Sequence, residues 1–105
     1  SLMRMDKILK QAQKMQAQMM IVQEELENAV LEGSAGGGAV KVTITGKGEV
    51  TSVSISKDVV STEDVEMLED LVLTAVKDAI EKSKELSESK MNSVTGGFGG
   101  IPGLM

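Results

Sequence analysis

Neither cysteine nor histidine occurs in the chain. Their absence removes disulfides, thiolate nucleophiles, most zinc sites and imidazole acid–base catalysis. Carboxylate chemistry and Ser/Lys chemistry are the enzyme classes left open. Tryptophan and tyrosine are missing as well, and Phe98 is the single aromatic side chain. The core must therefore be built from Val, Ile, Leu, Met and Ala, and no aromatic interleaving exists to stack single-stranded bases. No apolar run approaches the roughly 18 residues of a membrane span, and the amino terminus has no apolar stretch of signal-peptide length. A cytoplasmic protein without a membrane partner is expected, with its natural start at Met3 after Ser1 and Leu2.

The 105 residues support one domain, and a domain this small buries only a modest fraction of its unfolded surface. A partner subunit would help it. The net charge of −5 argues against an evenly basic nucleic-acid binder, but the charge is distributed in blocks. Arg4, Lys7, Lys10 and Lys14 against Asp6 make the first 18 residues basic, and Glu24, Glu25, Glu27 and Glu32 make the next stretch acidic. Lys41, Lys47 and Lys57 outweigh Glu49, and Asp58, Glu63, Asp64, Glu66, Glu69 and Asp70 follow without a cation.

Met5, Ile8, Ala12, Met15, Met19, Val22, Leu26 and Ala29 alternate at intervals of three and four, a heptad seam predicting a helix from about Met5 to Leu26. At 1.5 Å per residue that helix is about 33 Å long, so part of it is expected to project beyond its own core. Lys7, Lys10 and Lys14 share the spacing i, i+3, i+7 and form one stripe away from the seam. A solvated face is the bland reading of such a stripe.

The periodicity then changes to two. Val40, Val42 and Ile44 alternate with Lys41, Thr43 and Thr45, and Thr51, Val53 and Ile55 alternate with serines, which predicts two strands each with one buried face. Gly46-Lys47-Gly48 closes a hairpin between them. A further strand over Asn28 to Glu32, before a Gly33 to Gly38 loop, would complete a three-stranded antiparallel meander.

A second helix is expected after a cap at Ser61 or Thr62, with acids in its first turn and an apolar stripe of Val65, Leu68, Val72, Ala75 and Ala79 that covers the sheet. Beyond Lys82 the stripe thins to Leu86, so the last turns are expected to leave the core. The sequence is thus divided into an α-β-β-β-α domain over residues 1–92, an α+β fold with helical ends projecting as arms, and a flexible Gly-rich tail over 93–105.

Three features invite a chemical reading and fail it. The glycines at Gly33 and Gly36–Gly38 resemble a phosphate cradle, but that loop needs a strand before it and a helix after it, and here a strand follows. The acids between Glu63 and Asp70 sit where a helix dipole favours negative charge. The serines have no histidine partner and no nucleophile-elbow pattern. No catalytic residue, metal ligand, cofactor or small-molecule substrate is expected. The clustered Met15, Met19 and Met20 suit core or dimer packing, or alternatively an adaptable partner groove.

Three longer motifs, "LKQAQKMQAQM", "GGGAVKVTITGKGEV" and "DVEMLEDLVLTAVKDA", together with a tail containing "TGG" and then "PG", resemble the YbaB/EbfC family of bacterial nucleoid-associated proteins in this order and spacing. The similarity spans roughly Met5 to Gly103. It implies a helix, a three-stranded antiparallel sheet and a helical carboxyl-terminal part. It also implies a tweezer-like homodimer in the nucleoid whose protruding helices grip double-stranded DNA with little or broad sequence preference, bending or compacting it. On that resemblance Arg4, Lys7, Lys10 and Lys14 are the first candidates for phosphate contacts, with Gln11 and Gln18 as hydrogen-bond partners. Lys82, Lys84 and Lys90 on the opposing helical end come second. The alternative is a protein-interaction module whose heptad arm binds a partner helix in recombination or repair machinery.

Overall fold

A computed structural model describes residues 2–97. The elements run α1 (Leu2–Asn28), β1 (Val30–Ala35), β2 (Val40–Thr45), β3 (Val50–Ile55), a short 3₁₀ turn (Lys57–Val59) and α2 (Val65–Gly97). The sheet is an antiparallel meander in the order β1-β2-β3. The expected α+β architecture is present. Its extents are 74 × 24 × 16 Å, because both helices run far past the sheet they flank.

Two cores hold the molecule together. In the first, α2 lays Ala75 and Ala79 across one face of β1 and β2, over Ala35 and the fully buried Val40, Val42 and Ile44. Leu31, Leu68, Leu71, Val72 and Val76 close its margins. The helix sits very close to the sheet, and Gly33 is the reason: a Cβ there would lie 2.3 Å from the Ala79 backbone nitrogen. Gly33 therefore belongs to β1 rather than to the loop expected from the sequence, and β1 covers Val30–Ala35. The β1–β2 connection narrows to the glycines Gly36, Gly37 and Gly38, whose φ angles of 64°, 68° and 94° other residues rarely adopt.

In the second core α1 and α2 pack antiparallel beyond the sheet, joining Val22 and Leu26 to Val94, with Met15, Met19, Leu86 and Met91 around them. The last turns of α2 thus leave the sheet but not the protein. Expected to end near Asn92, the helix continues to Gly97, so the division at 92/93 falls inside packed structure and Val94 is only 5% exposed. The remainder of the expected flexible tail, 98–105, lies outside the described residues.

Two smaller expectations are also revised. Asp64, not Ser61 or Thr62, caps α2: its Oδ1 accepts from the Met67 backbone N–H at 3.1 Å, while Ser61 Oγ accepts from Glu63 N–H one turn earlier. On β3 the alternation is present but no face is buried in the single chain, since α2 crosses β1 and β2 and stops short of it.

Candidate nucleic-acid interface

Among the described residues only the inner half of the α1 seam is packed. Met15 and Met19 are half-buried and Val22 and Leu26 buried, whereas Met5 and Ile8 remain exposed. No described residue of α2 reaches them. Ser93 and Val94 of α2 line a cleft with Gln18, Ile21 and Val22 of α1, and Lys90 pairs with Glu25, so the antiparallel register brings Gly97 to about the level of Gln18. The first 13 or so residues of α1, roughly 20 Å, project as an arm past the described residues of α2.

Arg4, Lys7, Lys10, Gln11 and Lys14 all lie on this arm and are all exposed. At 100° per residue the three lysines fall within about 60° of one another, and Gln11 extends the stripe toward the seam. Arg4 lies between stripe and seam. No acidic residue occupies the first turn, so the positive end of the helix dipole adds to the four cations instead of being neutralised. Gln18, the sixth candidate on α1, is half-buried where the arm meets α2 and is continuous with the stripe only through its edge.

The α2 candidates separate. Lys82 Nζ lies 3.2 Å from Asp78 Oδ2 and donates to the Glu32 carbonyl at 3.0 Å, tying α2 to β1. Lys90 is held by Glu25 across the two arms. These are the two ion pairs within 4.0 Å among the described residues, and none of the four α1 cations takes part in one. Lys84 is unpaired and shares a cleft with Lys47, Gln23 and Ser87, at the root of the arm on the side away from the lysine stripe. Sequence reading passed over Lys47, whose place in a Gly-Lys-Gly turn gives no sign of the helix it faces.

Among the described residues Asp78 is the one carboxyl held off its ordinary value. The Ser34 backbone N–H donates to its Oδ2 at 3.0 Å, and that bond, followed by Lys82, holds its pKa below the ordinary aspartate value of 3.8. Its task is structural, at the β1–α2 seam. Among the described residues no cluster of three or more acidic side chains is arranged to hold a metal ion, and no helix is long and apolar enough to cross a membrane.

A projecting cationic helix on an acidic α+β body is the arrangement to compare with known proteins. The model of the YbaB/EbfC DNA-binding family matches residues 2–98. The chain belongs to that family. Similar curated members include a nucleoid-associated protein of Ruminiclostridium cellulolyticum, 49% identical over 100 residues that make up 95% of this chain and 87% of the relative. Another from Acetivibrio thermocellus is 50% identical across 92% of this chain and 86% of its own, and one from Chloroflexus aurantiacus is 49% identical across 90% and 94%. The crystal structure of an uncharacterized protein from Helicobacter pylori shares the fold with a TM-score of 0.67, covering 94% of this chain and 98% of that one at 21% identity. Membership places the chain among DNA-binding proteins and not in an enzyme family.

Proposed function

We propose that this protein is a nucleoid-associated, duplex-DNA-binding homodimer in which the arm of α1 lays Lys7, Lys10 and Lys14 along the phosphate backbone, with Arg4 and Gln11 beside them. One observation carries the reading: among the described residues the cations of the arm have no acidic partner, while the lysines of α2 at positions 82 and 90 do. Phosphate contacts of this kind position a protein without reading bases, which supports little or broad sequence preference. The acidic body keeps DNA off the rest of the surface and so confines the duplex to the arms.

The dimer is supported by what the single chain leaves open. β3 carries no charge and no proline, the usual protections of a free sheet edge, and its Val50, Val53 and Ile55 are 40–49% exposed. Beside Ile55 an almost wholly apolar groove runs along α2 past Val65, Leu68, Val72 and Leu73. A second copy set against this flank by a two-fold axis would cover both edges with one self-complementary surface. Two arms would then act on one duplex, doubling every phosphate contact and permitting DNA to be bent or bridged.

Titrating the protein into unrelated duplexes of equal length at low salt tests the reading. Similar affinity for all of them, falling steeply with salt, is the expected result. No shift of any duplex at low salt overturns it.

A further inference from the structure

Lys47 and Lys84 line a cleft of about 550 Å³ between the β2–β3 turn, the base of α1 and α2, and among the described residues no carboxylate lines it with them. Like charges that share a site repel, so a pair left without a counterion favours an anion between them. Glu81 and Glu88 stand three residues before and four after Lys84, within helical reach, yet neither forms an ion pair with it. The turn that carries Lys47 is fixed in place. Thr45 Oγ1 accepts from the backbone N–H groups of Lys47 and Glu49 at 3.2 Å each, and the Thr45 carbonyl accepts from Gly48 N–H at 3.0 Å and from Ser83 Oγ of α2 at 2.8 Å. On its other side the turn presses on α1, where a Cβ on Gly46 would meet the Leu26 carbonyl oxygen at 2.7 Å. Lys47 is thus presented from a backbone held by both helices, which lowers the ordering cost of a contact made there.

We infer that this cleft is a phosphate site separate from the arm, and that it takes the sugar–phosphate backbone of duplex DNA; the inference rests on the DNA-binding reading above. Lys47 and Lys84 supply the charge, and the half-buried Gln23 and Ser87 add neutral donors of the kind that contact phosphate oxygens. Ile80, 50% exposed, and Leu26 give the cleft an apolar wall. A phosphodiester with its deoxyribose can use that wall, and a bare inorganic ion cannot. Position separates the cleft from the lysine stripe. Gln23 follows Lys14 by nine residues, which places it about 180° around α1 and about 14 Å along it. With side chains the helix is about 10 Å across, so one run of backbone cannot follow both flanks. The cleft is therefore filled by a different strand or a different stretch of duplex, and the body's exclusion of DNA has a gap at the root of the arm.

Amide chemical shifts of the full-length protein resolve the two sites, because Gly46, Gly48 and Ser87 report on the cleft and residues 7–14 on the arm. A short duplex titrated at low salt should move both sets in the parent. In Lys47→Gln/Lys84→Gln the cleft set should no longer respond while the arm set still does, and the salt slope should become shallower by about 0.9 for each cleft. Both lysines are exposed and belong to neither core, so this variant should fold, and Lys84→Gln alone carries the same test from a single exposed helix position. In Lys7→Gln/Lys10→Gln/Lys14→Gln the cleft set should still respond. A parent whose arm responds and whose cleft does not overturns the inference and leaves DNA binding by the arm standing. A duplex that moves neither set overturns the DNA-binding reading and the inference with it. Cleft shifts that vanish in the arm variant make the cleft a follower of the arm and overturn its separateness. Inorganic phosphate at the same phosphate concentration should move the cleft set far less than the duplex does, and an equal response assigns the cleft to a small free anion and overturns the assignment to DNA.

Discussion

Gly33 on β1 and Ala79 on α2 are in contact through backbone alone: a Cβ on Gly33 would meet the Ala79 nitrogen at 2.3 Å and the Ala75 carbonyl oxygen at 2.5 Å. Neither atom can rotate away. The substitution Gly33→Ala must therefore push α2 off the sheet over Val42 and Ile44, and we expect it to destabilise the fold by roughly 1–3 kcal/mol or more, as overpacking of a close contact does. Chemical denaturation should show a lowered midpoint. An unchanged midpoint would mean that α2 slides without cost.

Truncation distinguishes the two halves of the carboxyl-terminal part. Ending the chain after Asn92 removes Val94 from its contact with Val22 and Leu26, and a loss of roughly 1–3 kcal/mol is expected from unburying one aliphatic side chain and exposing its neighbours. Ending it after Gly97 leaves both described cores complete, so the main melting transition should stay within a degree or two of the parent. Thermal melts of the two truncations settle the comparison, and equal melting temperatures would contradict it.

Asp78 gives the fold a dependence on acid. With its pKa lowered by the Ser34 N–H and then by Lys82, the folded state binds its proton more weakly than the unfolded chain does. The stabilisation is fully present above the ordinary value of 3.8 and is lost as pH falls through the lower folded value. Asp78→Asn keeps the shape but removes the charge. The gap in stability between parent and variant should be steady at neutral pH and close as the medium is taken below pH 4, roughly where an ordinary carboxyl gains its proton. A gap that persists unchanged to low pH would show that shape, not charge, is what Asp78 contributes.

Some of this was legible in the sequence for physical reasons. Val40, Val42 and Ile44 alternate on a strand buried on one face, and period two reports that directly. β1 escaped notice over its second half because its packing against α2 requires the absence of a side chain, and glycine reads as loop. The helix was legible through the outer half of α2, but its packing there was hidden by serines. Ser83 occupies a buried position, where its Oγ donates to the Thr45 carbonyl at 2.8 Å, and that breaks the apolar stripe without breaking the packing. The lysine stripe could be read from spacing, but the engagement of Lys90 could not, since Glu25 is 65 residues away in sequence.

The dimer proposal turns on the flank of β3. Val53→Lys together with Leu73→Glu places charges on the strand and helix that the second copy would cover, at positions that are 49% and 52% exposed in the single chain. The isolated fold should tolerate both, because neither side chain belongs to a buried core. Light scattering should report twice the 11.1 kDa chain mass for the parent and the chain mass for the double variant. A parent that is monomeric at micromolar concentration and independent of dilution would refute the proposal.

The lysine stripe yields the most exposed prediction. If Lys7, Lys10 and Lys14 neutralise phosphates, each contact releases condensed counterions and adds about 0.9 to the slope of log affinity against log salt on duplex DNA. Changing all three to Gln keeps helix propensity nearly constant and leaves Met5, Ile8 and Ala12 in place, so the arm should remain folded. In a dimer up to six contacts disappear, and the slope should become shallower by up to about 5. Affinity should fall for every duplex alike, because contacts to the backbone carry no sequence information. The matching control is Lys82→Gln, which removes a lysine already held by Asp78 and the Glu32 carbonyl and should change the salt slope little. A triple variant that is folded and binds as the parent does would identify the stripe as a solvated face, and the arm would then have to act through its seam instead of its charge.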